Sequence, residues 1–147
     1  MKDVMPLLPS VDQLSRIIGS VAAPAFLLGA VAAFISVLMS RMHRVIDRSQ
    51  FLHGVVDRDS GKAYLKTDIP RLKRRAALLN QSIFYSTVSA IITGSLIIVA
   101  FVSAMLHMEH EYGVALLFIA ALVFFVLALV NLARETRIAL RDFDHHI

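Results

Sequence analysis

The chain has 147 residues, 57% of them hydrophobic and 18% charged, with a mean hydropathy of +0.69. Soluble domains carry about 25% charged residues, so composition argues against an aqueous globule. With no cysteine in the chain, disulfides, thiolate metal sites and cysteine nucleophiles are excluded.

The apolar residues come in blocks. Residues 17–40, 76–106 and 112–133 contain no charged side chain, and each block is long enough for the roughly 20 residues that cross a bilayer as a helix. The sequence therefore predicts an all-α fold. This is a three-helix transmembrane bundle with a cytoplasmic antiparallel helical hairpin between spans one and two. The expected divisions of this single integral membrane domain are an outer arm and helix start over 1–16, span one over 17–40 and the hairpin over 41–75. Span two follows over 76–106, an outer turn over 107–112, span three over 113–133 and a cytoplasmic tail over 134–147.

The net charge of +4 reads as a topology signal before a nucleic-acid footprint, and no nucleic-acid partner is expected. Of the 15 Lys and Arg, two precede the first span, ten fall within 41–75 and three follow the last span. The turn at 107–112 has none. The positive-inside rule then puts the amino terminus in the periplasm, with the Arg-rich segment and the carboxyl terminus in the cytoplasm. The first block is too long for a cleaved signal peptide, and it ends on Arg41 and Arg44 in a stop-transfer pattern.

In chain order, Ser10-Val-Asp-Gln13 has the form of a capping box that starts the first helix. Pro24 falls inside the first span and predicts a kink. Ala22, Ala25, Gly29 and Ala33 make a strip of small residues at steps of three and four. Such strips let helix backbones approach closely in lipid. It reads as a helix-packing face, either against another span of the same chain or against a second copy.

No helix breaker follows until Gly54, so the first helix is expected to leave the membrane. Met42, Val45, Ser49, Leu52 and Val56 form one seam, and Ile69, Leu72, Ala76, Leu79 and Ile83 form another. Two such seams joined by the turn signal Asp57-Arg-Asp-Ser-Gly61 predict the hairpin. Thr67 or Asp68 is placed to cap the returning helix, with Pro70 in its first turn. Arg41, Arg44 and Arg48 share a face of the rising arm, with Asp47 placed to pair with Arg44. Arg71, Arg74 and Arg75 stand on the returning arm. These six arginines are the candidate contacts for anionic headgroups or another anion.

Ser82, Ser86, Ser89 and Thr93 form a hydroxyl stripe along span two. Such a stripe either packs against a neighbouring helix or lines a wet path. No Asp, Glu, Lys or Arg lies within a span, the usual mark of an ion pathway. His107, His110 and Glu111 have zinc-ligand spacing on a helix, but a solvated turn with an interfacial Tyr112 is the plainer reading. His145 and His146 are a weak pair in a tail expected to fray from Asp142, so no metal site is assigned. Span three is expected to be the most lipid-exposed helix, with Asn131 its one strongly polar residue and Arg134, Arg137 and Arg141 beyond it.

Ala23-Pro-Ala-Phe-Leu-Leu28, Ser40-Arg-Met-His-Arg44, Asp47-Arg48 and Arg74-Arg75-Ala-Ala-Leu-Leu-Asn80 resemble an uncharacterised bacterial family, domain of unknown function 2721. The resemblance implies a three-span protein of the bacterial inner membrane. It implies no activity and no catalytic residues.

No phosphate-binding Gly loop, H-E-x-x-H or G-x-S-x-G occurs, so no enzyme and no cofactor are expected. The expected function is a homo-oligomeric scaffold or interaction module that engages anionic lipid or a cytoplasmic partner. The competing reading is an oligomeric ion channel lined by the hydroxyl stripe.

Overall fold

The computed structural model describes residues 10–58, 67–108 and 111–145. They form three helices, α1 (Val11–Arg58), α2 (Ile69–Met105) and α3 (Glu111–His145), with no strand among the described residues. Each is long and apolar enough to cross a membrane. At 1.5 Å per residue, α1 is about 72 Å long and the other two are over 50 Å. A hydrocarbon core is about 30 Å thick, so every helix extends beyond it.

The first helix begins as expected. The Ser10 amide donates to Gln13 Oε1 at 3.1 Å, and the Gln13 amide donates to Ser10 Oγ at 3.3 Å. The helix runs through Pro24 without a break and continues to Arg58. It thereby takes in the first residues of the expected turn; the rest of that turn lies outside the described residues. Asp68 occupies the cap position of α2 but makes no side-chain cap bond, and a proline sits in the first turn. The far end of α2 closes in a Schellman motif. The Met108 amide donates to the Ser103 carbonyl at 2.9 Å, and the His107 amide to the Ala104 carbonyl at 3.3 Å. His107 takes the left-handed conformation, φ 55°, where glycine is usual. The helix thus stops where zinc-ligand spacing needed it to continue. His110 and the side chain of Glu111 lie outside the described set. At the carboxyl end α3 holds to His145 instead of fraying from Asp142.

Side-chain contacts fix the helix directions. Ser82 meets Ala128 and Ser89 meets Ala121, so α2 and α3 are antiparallel. Phe34 meets Phe125, and Arg41 meets Glu135, so α1 and α3 are parallel. By consequence α1 and α2 are antiparallel. Helix α2 lies between the other two and packs extensively on both, whereas α1 and α3 touch sparingly.

Buried positions recur every seven residues: Val31, Leu38, Val45 and Leu52 on α1; Leu72, Leu79, Ser86 and Thr93 on α2, with Ser82, Ser89 and Leu96 between them; Ala121, Ala128 and Glu135 on α3. A strict seven-residue repeat keeps contact only if helices supercoil left-handedly. Leu38, Val45, Leu52, Leu72 and Leu79 make the main core cluster, with Met42, Ile69, Ala76 and Ile83 packed on it. Most residues of the two seams read from the sequence are there; the Val56 side chain lies outside the described set.

One of the two readings of the small-residue strip is overturned. Ala22, Ala25, Gly29 and Ala33 do not pack within the chain; all four are exposed. The α1 seam is filled by Val31, Leu38 and Val45, whose larger side chains set the distance to α2. Glu135 is fully buried although it lies beyond span three as bounded from the sequence.

The outward faces are apolar. Phe26, Phe84, Ile91, Ile98 and Leu116 are all well over half exposed. Apolar surface on this scale suits lipid rather than water.

Candidate anion-binding site

The arginine end of the bundle is built around Glu135. It follows Ala121 and Ala128 at the same heptad position and has no exposed surface. Its Oε2 accepts from Arg41 Nε at 2.9 Å and Arg41 Nη2 at 2.6 Å. Its Oε1 accepts from Arg75 Nε at 2.9 Å. Arg41 Nη2 also donates to Thr136 Oγ1 at 3.1 Å, and that hydroxyl donates back to the Leu132 carbonyl at 2.9 Å. One carboxylate therefore clasps all three helices. Burying it is tolerable only because both oxygens are engaged by cations. The node keeps one unit of positive charge.

The sequence reading passed over Glu135, because it stands among Arg134, Arg137 and Arg141 and looks like part of a solvated tail. Its seven-residue spacing from Ala121 and Ala128 was the signal that it faces inward.

Beside this node, on the α2–α3 side, lies a groove of about 270 Å³. Arg74 of α2 and Arg134, Arg137 and Arg141 of α3 line it, with Leu78 and Ile138. The α3 arginines fall at i, i+3 and i+7, one helix face. All four are exposed, and no ion pair or hydrogen bond engages them among the described residues.

The six arginines singled out from sequence therefore separate. Arg41 and Arg75 meet at Glu135. Arg74 joins Arg134, Arg137 and Arg141 of α3, which are not among those six. Arg44 and Arg48 are exposed on α1; the guanidinium of Arg48 lies 5.7 Å from the centre of the Phe51 ring. Arg44 and Asp47 form no ion pair. Arg71 is exposed on α2.

The hydroxyl stripe lies inside the bundle. Ser82, Ser86, Ser89 and Thr93 have no exposed surface. Ser82 Oγ donates across to the Ala128 carbonyl, and Ser89 Oγ donates to the Ala121 carbonyl at 2.7 Å. Thr93 Oγ1 donates to its own helix at the Ser89 carbonyl, 2.7 Å. Ser86 Oγ alone has no partner. The alanines opposite allow the close approach that these bonds require.

At the far end, a cavity of about 580 Å³ opens between the three helices. Ala23, Pro24, Leu96, Ala100 and Phe118 line it, and Arg16 is also on its wall. No group of three or more metal-ligating side chains occurs among the described residues.

No curated protein and no solved structure matches the chain. A family model matches residues 21–145, which include α1 from Val21 onward, all of α2 and α3, and every residue of the node and the groove. The chain therefore belongs to the family described as Protein of unknown function (DUF2721).

Proposed function

We propose that the protein is a multi-pass protein of the bacterial inner membrane that acts without catalysis. In this reading it is a homo-oligomeric scaffold or interaction module. Its amino terminus is periplasmic, and its helical hairpin and carboxyl terminus are cytoplasmic. The basic end engages anionic lipid or a cytoplasmic partner. The observation that carries the reading is the separation of charge along the bundle. Arg44, Arg48, Arg71, Arg74, Arg134, Arg137 and Arg141 are all exposed at one end, while Arg16 is the sole Lys or Arg at the other among the described residues. Such a distribution suits an anionic leaflet. The exposed strip of Ala22, Ala25, Gly29 and Ala33 offers a face for a second copy. A channel lined by Ser82, Ser86, Ser89 and Thr93 has less support, since these hydroxyls are enclosed within one chain.

The test is the mass and lipid content of the detergent-extracted particle. The expected mass is a multiple of 16.3 kDa, with anionic lipid retained. Gly29→Leu is expected to give a monomer without loss of helicity, because a Cβ at Gly29 meets no atom within 4 Å. A monomeric wild-type particle rejects the oligomer. Retention that favours neutral over anionic lipid rejects the basic end as a headgroup contact.

A further inference from the structure

We infer that the groove between α2 and α3 is a site for the headgroup of one phospholipid, best matched by a lipid carrying two phosphates. The inference rests on the proposal that this end of the bundle meets an anionic membrane surface. It goes further by assigning a built pocket, with one occupant, formed by Arg74 of the hairpin with three arginines of α3.

Charge is the first ground. Four arginines from two helices line a groove of about 270 Å³, and together they equal the formal net charge of the whole chain, +4. Glu135 is already engaged by Arg41 and Arg75, so it does not neutralise them. A bound anion relieves the repulsion among four like charges in one groove. Guanidinium forks match phosphate oxygens in bidentate geometry.

Geometry is the second ground. From Arg134 to Arg141 the helix rises about 10 Å. That is too long for one tetrahedral phosphate and suits two phosphates joined by a glycerol. Arg74 stands on the other helix, so the occupant is gripped from both sides.

Depth is the third. The uncharged stretch of α3 ends at Ala133 and the groove opens at Arg134. This is the level at which headgroups sit on a spanning helix. Leu78 and Ile138 give the groove an apolar lining for the glycerol and the first acyl carbons. Basic pockets between membrane helices hold headgroups of this kind.

Native mass spectrometry of the full chain in detergent tests the site, titrating diphosphatidylglycerol, phosphatidylglycerol and inorganic phosphate. One diphosphatidylglycerol per chain is expected, held about tenfold or more tighter than phosphatidylglycerol, as two extra charged hydrogen bonds imply. Arg137→Gln with Arg141→Gln is expected to weaken it about tenfold or more, and Arg74→Gln, on the other helix, to weaken it less. Arg44→Gln with Arg48→Gln is expected to leave it within about twofold, since those side chains lie outside the groove. Circular dichroism checks that each variant keeps its helices. Unchanged binding in the Arg137/Arg141 variant overturns the site, as does equal weakening by both pairs, which marks diffuse attraction. Either result leaves the broader lipid reading standing if anionic lipid is still retained. Displacement by millimolar inorganic phosphate overturns a lipid occupant in favour of a soluble phosphate compound. Equal affinity for phosphatidylglycerol overturns the two-phosphate match.

Discussion

The two ends of this bundle solve the same packing problem differently. At the arginine end, Leu38, Val45, Leu52, Leu72 and Leu79 interlock, and the Glu135 node ties α1, α2 and α3 together beside them. At the far end the helices stand apart around a cavity of about 580 Å³, with small residues such as Ala23, Ala100 and Ala104 on its walls. Large side chains at heptad positions draw helices together through fitted contact. In lipid, small ones hold them together only where backbones can touch. The difference teaches that cohesion is concentrated at the basic end, where a charged clasp substitutes for the missing third seam between α1 and α3.

Three measurements break or sharpen that contrast. The largest effect is expected from Glu135→Ala. It leaves Arg41 and Arg75 partly buried without their anion, a loss of about 3–5 kcal/mol by analogy with broken buried pairs. Thermal unfolding in detergent is the readout. Replacing all three charges, Arg41→Met, Arg75→Met and Glu135→Leu, is expected to recover most of the loss. If Glu135→Ala unfolds like the wild type, the clasp holds nothing.

The next effect separates the ends directly. Leu79→Ala, in the tight core, is expected to cost about 2–4 kcal/mol. Leu96→Ala, which already faces the far cavity, is expected to cost about half of that, because a site beside a void loses fewer contacts. Equal losses in chemical denaturation would mean the two ends are packed alike.

The smallest effect lies midway, in the hydroxyl seam. Ser89→Ala removes an interhelical bond and is expected to cost about 0.6 kcal/mol. Ser86→Ala removes a buried hydroxyl that has no partner and is expected to be neutral or stabilising by up to about 1 kcal/mol. Unfolding of both variants in parallel checks the sign. A larger cost for Ser86→Ala would place a hidden partner, such as a buried water, at that position.

Much of the architecture is legible in the chain because a bilayer imposes so few choices. A backbone in hydrocarbon must satisfy its own hydrogen bonds, so three uncharged blocks could only be helices. The capping pair Ser10 and Gln13 and the seam from Ile69 to Ile83 were readable as local patterns. The strip from Ala22 to Ala33 was readable as small but not as outward-facing, since small residues suit either side of a helix. Glu135 escaped for the opposite reason: a carboxylate among arginines near a chain end looks solvated unless its heptad phase is followed back to Ala121.

By itself, the sequence determined three helices, their apolar blocks and the collection of arginines at one end, because hydropathy and charge are properties of each residue alone. Tertiary structure decided which arginines are occupied and which are open. Arg74 and Arg75 are neighbours in the chain, yet the 100° turn between successive helical residues sends one to the groove and the other to Glu135. Only the packing of α3 against α2 supplies the carboxylate that makes that difference.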